Sequence, residues 1–364
     1  MIDALSSSVP DLHLAAVIEH HFDPQWGSPY WLSKKGEFDF DPVTEIQTFE
    51  DLSRFGPFPE EDLRKFPASH FVPRKYHNRI PEFVYSETGG TTGKAKGVYF
   101  SPSEFRDGFV EPFLRVCFKV GWPQGEKWLF LGPTGPHIIG KVLDPICRKM
   151  GSPPPFRIDF DPRWSLKLTD RSAAKVRYLE HVVDQAVHLI EKERPRILFG
   201  SPRVLQRLAE RTTESSRAEI LAVHYGGTSL DPELYHRFSD EWFPNAIHLS
   251  GYGNSLVGVA FEAGVGEQDR LKYYPSANRH RIRLIPLEDG PIEGRLQKEV
   301  EDGQTGQVVV TRLDSTFFIP NLIERDQAEK VSAPDSVSDL GWSPQGIRNP
   351  RPITIETTIQ RALY

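Results

Sequence analysis

The chain has 364 residues, with 44 Lys and Arg against 50 Asp and Glu, a formal charge of −6. That balance gives no electrostatic reason to expect a nucleic acid or an anionic membrane as partner. No apolar run is long enough to cross a bilayer, and no basic stretch precedes an apolar one at the start.

Residues 1–80 read as a lead-in of helices and loops, containing Phe49-Glu50-Asp51-Leu52, Pro57-Phe58-Pro59-Glu60-Glu61-Asp62-Leu63-Arg64 and Phe71-Val72-Pro73. The apolar run Phe83-Val84-Tyr85 then enters the densest stretch of the chain, residues 86–97. Gly89, Gly90 and Gly93 let the backbone turn and bring its N–H groups to an anion. Ser86, Thr88, Thr91 and Thr92 add hydroxyl donors, and Lys94 and Lys96 add positive charge. This inventory suits a polyphosphate. It is not a Walker loop, because that pattern ending at Lys94 needs glycine where Thr88 stands and a hydroxyl residue where Ala95 stands.

Ser101-Pro102-Ser103-Glu104 predicts a capped helix start, and Phe105, Phe109 and Phe113 predict its buried face. The loop is therefore expected between a strand and a helix. Cys117 and Cys147, the two cysteines, lack metal or disulfide spacing, which predicts a reduced, cytoplasmic setting. Gly132 to Gly140 forms a second glycine-rich turn around His137. Phe160-Asp161-Pro162-Arg163-Trp164 is expected as a structural corner, with Trp164 packed and Arg163 paired.

From about 172 to 253 helix and strand patterns alternate. Val176, Leu179, Val183, Ala186, Val187 and Ile190 mark a helix; Ile197 to Phe199, Ile220 to Tyr225 and Ala246 to Leu249 mark strands, each ending near glycine. Alternation predicts a parallel sheet with right-handed crossovers and ligands at its carboxyl ends. Beyond Glu262, alternating Arg281 to Ile285 and Gln307 to Thr311 predict a smaller β subdomain, and the proline-bearing tail from Ala328 is expected to be extended.

Glu87-Thr88-Gly89-Gly90-Thr91-Thr92-Gly93-Lys94-Ala95-Lys96-Gly97 resembles the phosphate-binding motif of the adenylate-forming (acyl-activating) superfamily, with Ala95 at its usual proline. The lead-in segments are similar to those of its phenylacetate–CoA ligase-like branch, and the resemblance spans roughly Asp51 to Arg351. It implies an α/β fold: an adenylate-forming N-terminal domain with parallel αβ sheets and a smaller β subdomain. The expected division is a large core over 1–326 (lead-in 1–80, αβ region 81–262, β subdomain 263–326) and a hinge and tail over 327–364. The family's C-terminal lid, about a hundred residues, is expected to be truncated or absent, since Lys330 is the last lysine.

The resemblance carries over residue by residue. Ser86, Thr88, Gly89, Gly90, Thr91, Thr92, Gly93, Lys94 and Lys96 would hold the phosphates of ATP, with Lys94 and Thr91 acting on the reaction itself. Gly226, Gly227 and Thr228 would border adenine, Tyr252 would stack on it, and Gly253, Asn254 and Ser255 would continue towards the phosphates. Asp326 would hold the ribose, Arg348 would mark the hinge, and His137 would orient the acid. Leu256 falls where the family's magnesium-binding glutamate stands, which makes Glu262 the candidate replacement for Mg2+.

The expected activity is ATP-dependent activation of a small carboxylic acid, aromatic or arylalkyl, as an acyl-adenylate. Transfer to CoA, an acyl-accepting carrier protein, an amine or a partner enzyme would follow. The alternative is a nucleotide-binding, non-catalytic homologue serving a partner, which Leu256 favours. A P-loop kinase or NTPase ranks third because the Walker pattern is broken.

Overall fold

Strands of four or five uninterrupted apolar residues need cover on both faces, and a parallel sheet between helices supplies it. The computed structural model describes residues 11–90, 93–262, 270–276, 279–288, 290–334 and 340–353. Its six-stranded sheet has the order β4-β3-β5-β6-β7-β8. The strands are β3 (Trp128–Gly132), β4 (Phe156–Asp159), β5 (Ile197–Gly200), β6 (Ala222–Tyr225), β7 (Ile247–Asn254) and β8 (Gly258–Phe261). All neighbours pair in parallel except β7 and β8. Helices Ala173–Glu193 and Pro202–Arg211 fall where the periodicity places them, with Val183, Ala186, Ile190, Leu205 and Leu208 in the core.

A two-stranded antiparallel hairpin precedes this sheet, β1 (Val84–Glu87) against β2 (Gly97–Phe100). The glycine-rich loop is thus a hairpin connection, a correction to the strand-then-helix expectation. The helix follows one strand later, with Ser101 and Glu104 exchanging the two bonds of a capping box. It widens into a π turn over Arg106–Val110, then resumes as Glu111–Lys119, with Phe109 and Phe113 buried.

The five-stranded antiparallel sheet has the order β10-β11-β12-β13-β9. It is formed by β9 (Lys272–Tyr273), β10 (His280–Ile285), β11 (Thr305–Leu313), β12 (Phe318–Ser332) and β13 (Gln345–Pro352). β12 runs through the expected boundary at 326 without a break, and β13 pairs with it. The extended tail is therefore a sheet strand in its described part.

The lead-in helices Leu12–Phe22 and Pro29–Lys34 pack through an aromatic cluster that includes Phe22, Trp31, Phe55 and Phe318. Asn321, with φ +48, fastens this layer to β12: its Nδ2 donates to the carbonyls of Leu52 at 2.6 Å and Gly56 at 3.0 Å. Trp164 is half exposed rather than packed, while Arg163 is paired as expected.

Candidate active site

Antiparallel pairing ends at Glu87 opposite Gly97, and Thr88 then closes the neck of the loop. Thr88 N donates to Lys96 O at 3.0 Å, and Lys96 N donates to Thr88 Oγ1 at 3.1 Å. Inside the neck, Gly90 has φ +67, a conformation glycine adopts without strain. Gly89, Gly90 and Gly93 are placed in the bend, whereas Thr91 and Thr92 lie outside the described residues. Ser86 points inward: it is fully buried, and its Oγ has no partner.

The two loop lysines differ. Lys94 is exposed, and its backbone oxygen accepts from Arg64 Nε at 2.9 Å. Lys96 is mostly buried and ion-paired with Glu60. On the other side, Arg163 Nη2 reaches both Glu87 Oε2 and Thr88 O at 2.8 Å. Glu87 N donates to Pro136 O at 2.9 Å, which joins the hairpin to the turn bearing His137.

His137 is the residue before helix Ile138–Lys149 and is buried. Burial, then the charge of Arg163, lowers its pKa, so the imidazole is neutral at pH 7. It stands beside a cavity of about 50 Å³ rather than in its lining. That cavity opens at the carboxyl ends of β3, β5 and β6, between Phe130, Ile139, Phe160 and Pro162, with Ser201 and the glycines Gly226 and Gly227. Ligands collect at this end of an open α/β sheet.

The nucleoside-side candidates gather where β7 faces β12. Gly251-Tyr252-Gly253 is a strand rather than the turn its glycines suggest: a Cβ at Gly253 would lie 2.9 Å from Val259 on the paired strand β8. Tyr252 OH donates to Asp326 Oδ2 at 2.9 Å, and Asn254 Nδ2 donates to Glu324 Oε1. Burial raises the Asp326 pKa against the Tyr252 hydrogen bond. Burial and then the charge of Asp326 push Glu324 up to about 7, opposed by Asn254 and by Lys96. Thr228 is half-buried after β6, and Ser255 half-buried after β7.

Three predicted residues stand apart. Glu262 is fully buried, and its oxygens accept from Ser250 N at 2.9 Å and Leu271 N at 2.6 Å. Its carboxylate is spent on the backbone, which corrects its candidacy as a metal ligand. Leu256 is buried, its carbonyl accepting from Arg312 Nη1 at 3.1 Å. Arg348 lies on β13 and pairs with Glu329 on β12. Sequence reasoning missed Glu60 and Arg64, which contact the loop, Glu324, and Ser201 in the cavity. For Arg64 a signal existed: its segment, Pro57 to Arg64, is part of the lead-in that carries the family resemblance.

The arrangement of hairpin, parallel sheet and smaller antiparallel sheet defines the large N-terminal domain of adenylate-forming enzymes. A family model described as AMP-binding enzyme matches residues 84–313, more than half the chain, and the chain belongs to that family. Two solved structures of 2-hydroxyisobutyryl-CoA ligase are similar, each overlapping 93% of this chain. One, in complex with 2-HIB-AMP and CoA, has a TM-score of 0.64 at 15% identity. The other, in the postadenylation state with R3-HIB-AMP, has a TM-score of 0.66 at 13% identity. At these identities the likeness is one of fold. This chain spans 65% of the length of that ligase. Among curated protein sequences, no match was found. Among the described residues, no helix is long and apolar enough to cross a membrane.

Proposed function

We propose that this chain activates a carboxylic acid with ATP. A carboxylate oxygen attacks the α-phosphorus, the bond from that phosphorus to the bridging oxygen breaks, and pyrophosphate leaves. The acyl-adenylate stays behind. One observation carries the reading: the glycine-rich hairpin is hydrogen-bonded through Glu87 N to Pro136 O, in the turn beside an apolar cavity at the carboxyl ends of β3, β5 and β6, and Tyr252, paired with Asp326, lies towards the carboxyl end of the neighbouring β7.

In this reading the N–H groups of Gly89, Gly90 and Gly93 and the Thr91 and Thr92 hydroxyls cradle the triphosphate. Lys94 and Lys96 offset the charge that grows on pyrophosphate as it departs. Tyr252 lies along the adenine, Asp326 accepts from the ribose hydroxyls, and Gly226 to Thr228 border the base. Neutral His137 donates a hydrogen bond that orients the acid. Mg2+ takes oxygen ligands from one or two carboxylates plus substrate phosphates; the Glu324 carboxylate, which accepts from Asn254, would hold the ion together with those phosphates, and the ion would neutralise phosphate charge. CoA, a carrier thiol, an amine or a partner enzyme would then take the acyl group. The similar ligase, captured with an acyl-adenylate and CoA, supports naming CoA first.

The test is acid-dependent exchange of pyrophosphate into ATP. Exchange that Lys94→Ala and Tyr252→Ala both depress supports the reading. ATP uptake by calorimetry without exchange under any acid favours instead a non-catalytic nucleotide-binding homologue, the reading that buried Leu256 recommends.

A further inference from the structure

An active site built for an aromatic acid needs room for a ring, and the cavity at the strand ends does not offer it. An apolar protein cavity that takes up benzene measures about 150 Å³. The space here is about 50 Å³. Its floor is already tight: a Cβ on Gly226 would stand 3.2 Å from the Phe199 ring and 3.5 Å from Ile139 Cδ1. Phe130, Ile139, Phe160 and Pro162 make the wall apolar, so an alkyl group suits it.

Among the described residues that line the cavity, Ser201 carries the one polar side chain. Ser201 occupies the N-cap position of helix Pro202–Arg211, where a serine hydroxyl ordinarily accepts from the backbone of the first turn. Here it makes no such bond. Its Oγ is buried and has no partner. A buried hydroxyl left unpaired is unfavourable, and a ligand group that pairs it recovers the loss. Cavity size and an orphaned hydroxyl are independent observations, and they converge on one kind of occupant.

We infer that the acid is a short aliphatic one bearing a hydroxyl, and that Ser201 reads that hydroxyl while Ile139 limits the chain to small groups. This rests on the acid-activating reading above and replaces the aromatic acid expected from resemblance. Sites that hydrogen-bond a substrate hydroxyl discriminate strongly against analogues that lack it, because their own polar group is stranded.

The experiment measures kcat/KM for acid-dependent pyrophosphate exchange with 2-hydroxybutanoate, 3-hydroxybutanoate, butanoate, benzoate and phenylacetate. Calorimetry of the same acids on the ATP-loaded protein gives a second readout free of turnover. The expected order places one hydroxybutanoate above butanoate, and both above the aromatic acids. Ser201→Ala should shrink the advantage of the hydroxylated acid over butanoate about tenfold. Ile139→Ala should raise benzoate relative to butanoate, in both turnover and binding. A wild-type preference for benzoate or phenylacetate overturns the inference and leaves acid activation standing. A hydroxyl advantage untouched by Ser201→Ala also overturns it. No exchange with any acid and no ATP uptake overturns both readings together.

Discussion

Strands β3, β5 and β6 of the parallel sheet carry no charged side chain, whereas the antiparallel sheet buries Arg279, Arg312 and Asp314 at one place. Asp314 accepts from Arg279 Nε at 2.9 Å and Arg312 Nε at 2.6 Å. Burial alone would raise the Asp314 carboxyl; the two guanidiniums outweigh it and hold the pKa below the usual range. The arginines then reach outward. Arg312 Nη2 donates to Tyr99 O at 2.7 Å on β2, its Nη1 to Leu256 O, and Arg279 Nη1 to Val257 O at 3.0 Å. Gly108 makes room, since a Cβ there would collide with Arg279. The apolar sheet supplies a platform, and the charged cluster fixes the hairpin and the β7–β8 turn upon it.

That contrast can be broken by two substitutions. Asp314→Ala leaves two guanidiniums buried without a counter-charge, and we predict a loss of about 4 kcal/mol in urea denaturation. Leu198→Ala, inside β5, leaves a cavity in the platform and is expected to cost about 3 kcal/mol. A larger loss from Leu198 than from Asp314 would mean that the cluster is incidental to holding the two sheets together.

The site where they meet has its own pH signature. The folded pKa of Glu324 lies near 7, above the ordinary glutamate value of 4.5. The folded state therefore holds this proton more tightly than the unfolded chain does. Stability from this group is complete below about pH 4.5 and falls as pH rises towards 7, by about 2–3 kcal/mol. Glu324→Gln should remove that slope, read as the difference between wild-type and variant denaturation curves over this range. Parallel curves would place the Glu324 carboxyl in water.

The parallel platform was legible because its strands are short apolar runs closed by glycine, with amphipathic helices between them. Binary pattern decides such a sheet. The β2 strand was not legible: Gly97-Val98-Tyr99-Phe100 follows a polar bend and precedes a strong helix cap, so local signals favoured the helix. Tyr252 and Asp326 were singled out through motif resemblance, and their hydrogen bond joins residues 74 apart in the chain. Glu324 was passed over two positions away because a lone glutamate on a degenerate motif looks solvated. Arg279 and Arg312 were invisible for the same reason: charge in a sequence carries no sign of burial. The aromatic acid is an expectation from resemblance alone, because the side chains that line the cavity come from separate strands and helices and no local pattern assembles them.

The smallest effect expected concerns the lead-in rather than either sheet. Arg64 donates from Nε to Lys94 O, pairs through Nη1 with Glu61, and lies 3.7 Å from where a Cβ of Gly93 would stand. Beside it, Glu60 holds Lys96. Glu60 and the short helix Asp62–Lys65 that follows it therefore hold the Lys96 side chain and the Lys94 backbone, and a loop segment held in advance loses less freedom on binding. Lysine keeps the charge of Arg64 but not the fork that serves two acceptors at once. We predict that Arg64→Lys raises the KM for ATP about fivefold, roughly 1 kcal/mol, while kcat stays within about twofold and the KM of the acid is unmoved. That split belongs to a residue that positions the loop. A fall in kcat at constant KM would instead put Arg64 in contact with the transition state, and wild-type values of both would release the loop from its clamp.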